Sequence, residues 1–302
     1  MITIPPYLQP GDTIGIVCPA GATPVEKVSE CIRVLNEEWG FLTKVGNTIG
    51  KQFNYFSGTD EERLTDFQQM LDDDEVKAVL CARGGYGMSR IIDKISFKKF
   101  KKSPKWIIGY SDITVLHSHL YSNYYISSLH APMSGAFNDA GYVNRFVQSL
   151  KTALEGKKIK YTVGPHEFNR KGAAIGELIG GNLTLLAHIT GTDSDIKTRG
   201  RILFIEDVGE YLYNIDRMMY QLKRSGKLSR LAGLIVGGFT DMKDTERPFG
   251  QTAYEIIRDV VSEYEYPICF NFPVSHEKEN YALKIGIGYK LKVAKNKIIL
   301  EE

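Results

Sequence analysis

The first half of the chain alternates short, continuously apolar runs with segments of helical period, and few folds accept that pattern. "TIGIVCPAG" (13–21) is an apolar run that ends in a glycine-bearing loop. Pro24 to Trp39 repeats apolar residues at Val25, Val28, Ile32 and Leu35, the three-and-four spacing of a helix, and Gly40 stops it. "FLTKVGNTI" can form a second strand. Thr59 to Leu71 opens with the capping signature Thr-Asp-Glu-Glu and repeats Leu64, Phe67 and Leu71. "VKAVLCARGGYG" (76–87) runs from a strand into glycines, and a helix is predicted from Met88 to Ile95. "KWIIGYSD" then leads into a helix from about Ile113 to Tyr121. Short strands buried on both faces and separated by helices build a parallel sheet with helices on both sides. Ligands meet such sheets beyond the carboxyl ends of the strands. That selects three loops: "CPAG" (18–21), "ARGGYG" (82–87) and "GYSD" (109–112).

The pattern breaks once. Residues 153–171, including "GKKIKYTVGPHEFNR", are polar, carry Gly and Pro, and have little period, so they are expected to link a domain at 1–152 to a second at 172–302. A chain of 302 residues is long enough for that division. The second half restarts with "GELIGGNLTLLAHI" and "RILFIEDVGE" (201–210), followed by a helix from Tyr213 to Ser225 closed by Gly226. "LAGLIVGGF" is a buried strand, Gln251 to Tyr264 a helix, and "YPICFNFPVSH" (266–276) a strand ending at a histidine. "YALKIGIGYKLKVAKNKIILEE" alternates apolar and polar residues and predicts closing β-structure.

Composition excludes several classes. The chain is 43% hydrophobic and 25% charged, which is ordinary for a globular protein. A net charge of +2 gives no reason to invoke nucleic acid, and the basic run from Lys98 to Lys105 reads as a solvated helix end. No apolar run approaches the ~20 residues of a membrane helix, so no membrane partner is expected. "MITIPPYLQPGD" lacks the basic and apolar regions of a signal peptide, and a cytoplasmic location is expected. Cys18, Cys31, Cys81 and Cys269 are scattered with no C-x-x-C pair, which fits reduced thiols.

Three strand ends offer a nucleophile, an acid and a base: Ser111, Glu206 and His276. A serine hydroxyl attacks at neutral pH only when an imidazole takes its proton and a carboxylate orients that imidazole. A strand-to-helix turn would expose Ser111 and present the backbone N–H of Asp112 at a helix N-terminus. Ser111 and Asp112 could equally serve as helix caps. Glu210 is a rival acid, and His276 could be an ordinary loop histidine. His117 and His119 do not form a metal pair, because alternate residues face different ways on a helix. "GGYG" lacks the third glycine of a dinucleotide loop, since position 90 is Arg. S-x-x-K occurs at Ser96–Lys99 and Ser275–Lys278 without S-D-N or K-T-G companions. Gly109-Tyr110-Ser111-Asp112-Ile113 breaks the last position of the α/β-hydrolase elbow, although the order Ser, Glu, His matches that fold.

Six stretches taken in order resemble one family: "GDTIGIVCPAG", "ARGGYGMSRIID", "IIGYSDITVLH", "GELIGGNLTLL", "LFIEDVGEYLYNIDRMMYQL" and "PVSHEKENYALKIG". They are similar to the L,D-carboxypeptidases of the muramoyl-tetrapeptide and microcin-immunity type, over nearly the whole chain. The resemblance implies an α/β fold: an N-terminal flavodoxin-like parallel sheet, a C-terminal α/β domain with closing β-structure, and the active site between them. It implies a serine peptidase with a triad of Ser111, Glu206 (not Glu210) and His276. The oxyanion hole would use the N–H groups of Asp112 and Gly85. The implied reaction removes the terminal D-alanine from a cytoplasmic murein tetrapeptide, in peptidoglycan recycling, with no metal or organic cofactor. Arg83 is a candidate for the substrate's free carboxylate, or a support of its loop, and Asn182 a candidate for the peptide backbone. Homodimers are common in the family, but no stripe in this chain marks a dimer face.

Two other readings stand beside this one. An immunity-type hydrolase would cleave a peptidyl-nucleotide antibiotic. Such members tend to carry a longer, Trp-bearing loop before the glutamate strand, whereas "GTDSDIKTRG" (191–200) is short and the tryptophans are Trp39 and Trp106. A two-lobed binding protein without catalysis is the third reading, and all three triad candidates would then be coincidental.

Overall fold

A computed structural model describes residues 2–138 and 143–302. The chain divides into two compact units, Met1–Lys157 with Tyr281–Lys284, and Lys158–Asn280 with Ile285–Glu302.

The first unit runs β1 (Thr13–Val17), α1 (Glu26–Arg33), β2 (Leu42–Val45), α2 (Asp60–Asp72), β3 (Val76–Cys81), β4 (Trp106–Gly109), α3 (Thr114–Tyr124), β5 (Ser128–His130) and α4 (Arg145–Leu154). The second continues with β6 (Lys160–Val163), β7 (Gly172–Asn182), α5 (Leu183–His188), β8 (Ile202–Val208), α6 (Leu212–Arg224), β9 (Gly233–Thr240), α7 (Ala253–Val260) and β10 (Ile268–Cys269). The chain closes with β11 (Leu283–Ile285), β12 (Gly288–Val293) and β13 (Ile298–Glu301).

The first sheet has the order β11-β5-β4-β3-β1-β2. Its strands β1 to β5 pair in parallel, in the 2-1-3-4-5 order of flavodoxin-like folds. The apolar runs explain this. Every residue of β4 is buried, as is all of β3 except Lys77, so both faces need cover from helices. The second sheet has the order β10-β9-β8-β7-β12-β13-β6. Strands β7 to β10 pair in parallel, while β12, β13 and β6 close it antiparallel. Strand β12 buries alternate residues, as its sequence alternation requires.

Several local expectations change. The 153–171 stretch is expected to be a linker, yet it contains β6, which pairs with β13 through Tyr161 and Leu300. Buried Tyr161 is what that polar stretch hides. Strand β11 is expected in the second domain but joins the first sheet beside β5. Its three residues are fully enclosed, and the Ala282 N–H just before it donates to Ser149 Oγ at 2.9 Å. The helix expected from Met88 to Ile95 forms two single 3₁₀ turns, Met88–Arg90 and Ile92–Lys94, whose apolar residues are buried as the spacing requires. Lys105 is not solvated. It is 4% exposed, and its ammonium donates to the carbonyls of Met70 and Asp73, closing the C-terminal end of α2. Burial pulls its pKa down to about 8.

Candidate active site

Ser111 follows β4 after the single residue Tyr110, in the left-handed region at φ +63°. Few non-glycine residues occupy that region, at a cost of order 1 kcal/mol. A 3₁₀ turn over Ser111–Ile113 leads into α3. The N-cap residues of the turn and of α3, Tyr110 and Ile113, make no side-chain capping bond among the described residues, so capping does not account for Ser111 and Asp112. The Asp112 carboxylate is fully buried and accepts from the Met88 N–H at 2.7 Å. Burial raises its pKa to about 6, against the Met88 hydrogen bond and the charge of Arg63.

The glycine loop after β3 passes directly over the serine. A Cβ on Gly84 would lie 2.9 Å from Ser111 Cβ and 3.2 Å from its Oγ, so only glycine allows this approach. The Gly84 carbonyl accepts from the Gly21 N–H at 2.9 Å. In a trans peptide the next N–H points the opposite way, so the Gly85 N–H is directed away from Gly21.

The loop after β1 is fixed by buried polar side chains. Asp66 accepts from the Asn47 and Thr48 N–H groups and from Thr48 Oγ1, which itself accepts from the Cys18 N–H at 2.8 Å. Ser57 Oγ donates to the carbonyls of Cys18 and Ala20, and Arg63 donates to Pro19. His117 is structural. Its Nε2–H donates to the Gly109 carbonyl and its Nδ1 accepts from Ser128 Oγ, each at 2.8 Å. Burial holds this ring neutral, down to about 4.

In the second unit Glu206 lies on β8, fully buried, with Oε2 accepting from His276 Nδ1 at 2.6 Å. A β-bulge between Ile205 and Asp207 interrupts the pairing of β8 with β9 at this point. Gly237 and Gly238 on β9 leave room for the incoming 274–276 segment: a Cβ on Gly237 would meet the Val274 carbonyl and lie 3.1 Å from Glu206 Cβ. Ser275 holds the turn beyond, donating to the Glu279 carbonyl and accepting from the Glu277 N–H. Burial disfavours the charged His276 ring, but Glu206, with Asp207 behind it, outweighs this and raises its pKa above the ordinary histidine value.

Adjacent strand residues face opposite sides, and Asp207 points away from the histidine. Its carboxylate accepts from Asn182 Nδ2, the Thr184 N–H and Oγ1, and the Val208 N–H, all at 2.8 to 2.9 Å. Burial raises its pKa to about 6, with the neighbouring Glu206 charge adding to the effect. The rival acid Glu210 accepts instead from Asn214 Nδ2 at 2.9 Å.

Of the two substrate-binding candidates, Asn182 is engaged by the fold. Its Oδ1 caps α5 at the Leu185 N–H and its amide holds Asp207. Arg83 is exposed and donates to the Ala22 carbonyl. It also lines a cavity of about 420 Å³ with Ala22, Gln52, Asn54 and Tyr55. Tyr55 connects that cavity to the glycine loop, since its hydroxyl would lie 3.0 Å from a Cβ on Gly85.

Sequence reasoning missed Arg63 and Asp66. Both sit on the buried stripe of α2 with Phe67 and Met70. Two ionic residues at the period of a core-facing stripe are the signal that could have found them.

Known proteins match both halves of the chain. Residues 14–131 match the LD-carboxypeptidase N-terminal domain and residues 175–291 the LD-carboxypeptidase C-terminal domain. The "Probable murein peptide carboxypeptidase" of Bacillus subtilis is 37% identical over 300 residues, covering 98% of this chain and 94% of that protein. The Microcin C7 self-immunity protein MccF of Escherichia coli is 25% identical, covering 93% of this chain and 90% of that protein. The crystal structure of muramoyltetrapeptide carboxypeptidase from Oxalobacter formigenes superposes with a TM-score of 0.86 at 28% identity, covering 96% and 98% of the two chains. With both domain types matched in order along its length, this chain belongs to the LD-carboxypeptidase family.

Proposed function

We propose that this protein is a serine L,D-carboxypeptidase that releases the terminal D-alanine from murein tetrapeptides in the cytoplasm, with Ser111, Glu206 and His276 as its triad. The observation that carries the reading is Ser111 itself. It is a non-glycine residue held left-handed at the end of a buried strand, is the N-cap of neither the turn nor α3, and has Gly84 pressed against its hydroxyl. Such strain at a strand-to-helix turn marks a nucleophile elbow. Buried Glu206 and the half-buried His276 it accepts from supply the second part.

In this mechanism the Nδ1–H of His276 donates to Glu206, which leaves Nε2 as the basic nitrogen. That nitrogen takes the Ser111 proton as Oγ attacks the carbonyl of the L-configured diamino acid. The oxyanion accepts from the N–H groups of Asp112 and Gly85, where loss of one donor typically costs ~10²–10³ in rate. His276 returns its proton to the leaving amine, and D-alanine departs. Water, deprotonated by His276, then hydrolyses the acyl-serine ester and regenerates the hydroxyl. The positive cavity beside the glycine loop suits the free carboxylate of the departing residue, with Arg83 as its cation.

Mass spectrometry of a murein tetrapeptide incubated with wild-type protein and with Ser111→Ala tests this. Loss of one alanine with wild type alone is expected. Equal turnover by both would remove Ser111 from the chemistry. Turnover by neither, together with cleavage of a peptidyl-nucleotide, would move the substrate to the immunity type. Absence of both activities, and of Ser111 labelling by a phosphonate probe, would favour a binding protein.

A further inference from the structure

We infer that Arg63 and Asp112 clamp one peptide bond, Gly87–Met88, from its two ends, and thereby fix the glycine loop that carries the second oxyanion donor. The inference rests on the carboxypeptidase reading above. Arg63 projects from α2 and is fully buried. Its Nη1 donates to the Gly87 carbonyl at 3.0 Å and to the Pro19 carbonyl, and its Nη2 to Asp60. Asp112, next to the nucleophile, accepts from the Met88 N–H at 2.7 Å. Gly87 and Met88 share that peptide. Its oxygen is held by a cation and its N–H by a carboxyl group, so rotating the peptide plane would break both bonds together.

The backbone is shaped for this grip. Gly87 has φ +144°, and a Cβ there would lie 2.7 Å from Arg63 Nη1, so no other residue admits the guanidinium so closely. The Arg63 guanidinium carbon also lies 4.9 Å from the centroid of the Phe56 ring. A lysine could not span Pro19, Gly87 and Asp60, because its donors radiate from one nitrogen. Burying an arginine and a carboxyl group for stability alone is a poor arrangement, since apolar side chains of similar volume often do as well. Here Arg63 Nε and Asp112 Oδ1 are both left without a hydrogen-bond partner among the described residues. What the pair secures is geometry. Two peptide bonds separate the Gly85 N–H from the clamped unit, and Asp112 contributes the first donor from its own backbone. The clamp therefore ties both donors of the oxyanion hole to one frame. Arg63 and the Asp112 side chain are positioning groups that act through the glycine loop.

The test uses Arg63→Lys, Asp112→Ala and the double variant, assayed beside wild type on murein tetrapeptide. Each single variant is expected to lower kcat about 10-fold or more, with KM within about threefold, as small misplacements of catalytic groups do. The double variant should lose no more than about threefold beyond the worse single variant, because both act on the same peptide. A phosphonate that mimics the tetrahedral intermediate should weaken in parallel with kcat/KM, while affinity for a ground-state analogue stays unchanged. Asp112→Asn, which keeps an oxygen for Met88, should restore most of the rate. Additive losses, unchanged kcat in folded variants, or equal weakening of both analogues would overturn the clamp. If Arg63→Lys fails to fold, the Ala and Asn variants of Asp112 decide the matter alone. If wild type shows no turnover, the carboxypeptidase reading fails. The clamp is then judged by the rate of Ser111 labelling with a fluorophosphonate, expected to fall in both single variants and unchanged if the clamp is absent.

Discussion

Glu206 accepts a 2.6 Å hydrogen bond from His276 on one face of β8, while its neighbour Asp207 faces the other way into four donors. Two adjacent acids on one strand thus take different tasks. One orients an imidazole, and the other ties β8 to the start of α5.

The first prediction concerns that hydrogen bond. His276 must be neutral to accept a proton, and Glu206 raises its pKa above 6.5. Activity should therefore rise with pH through a midpoint above 6.5 and fall away below it. Glu206→Gln removes the charge that favours imidazolium, so the midpoint should move to lower pH. The rate should fall by about 10³–10⁴, as in other triads that lose their acid. A pH profile of kcat/KM for both proteins checks this, and an unmoved midpoint would exclude Glu206 as the partner.

Ser111 separates strain from chemistry. Ser111→Ala and Ser111→Gly should both be inactive. Alanine keeps a Cβ at φ +63°, whereas glycine tolerates that region, so the glycine variant should be more stable than the alanine one by about 1 kcal/mol. Urea unfolding of the two variants measures the difference, and equal midpoints would mean the turn carries no strain.

Asp112 makes stability depend on pH. Its folded pKa of about 6 lies above the unfolded value of 3.8, so folding favours the protonated form. The stability this contributes is fully present below pH 3.8 and is lost as pH rises through about 6. Asp112→Asn cannot ionise, so its stability relative to wild type should increase across that window, by roughly 3 kcal/mol at most. Denaturant titrations at pH 4 and pH 8, taken as about the ends of the window, test the sign. A constant difference would show that the carboxyl group does not titrate there.

Arg83 should govern substrate affinity and little else. Replacement by alanine is expected to raise KM roughly 10- to 100-fold, the worth of a charge-assisted bond, with kcat nearly unchanged. A substrate ending in a carboxamide should be as poor for wild type as the free acid is for the variant. If the variant discriminates acid from amide as wild type does, the carboxylate is bound elsewhere.

The sequence by itself determined the parallel sheet, the two-part organisation and the three strand-end loops. Continuous apolar runs such as "KWIIG" can only be buried on both faces, and the ligand side of such a sheet follows from its topology. It also nominated Ser111, Glu206 and His276, through residue type and through resemblance. Tertiary structure decided what local pattern cannot carry. Resemblance already favours Glu206 over Glu210, but the contact itself, a turn 70 residues away bringing His276 Nδ1 against Glu206, is tertiary. Lys105 reads as solvated because charge runs usually are, yet it is buried against the end of α2. Strand β11 and the 160–163 segment were misplaced because short stretches join whichever sheet edge offers free N–H and carbonyl groups. Arg63 and Asp112 lie 49 residues apart and meet only through the Gly87–Met88 peptide, a third segment that neither one's neighbours in sequence reveal.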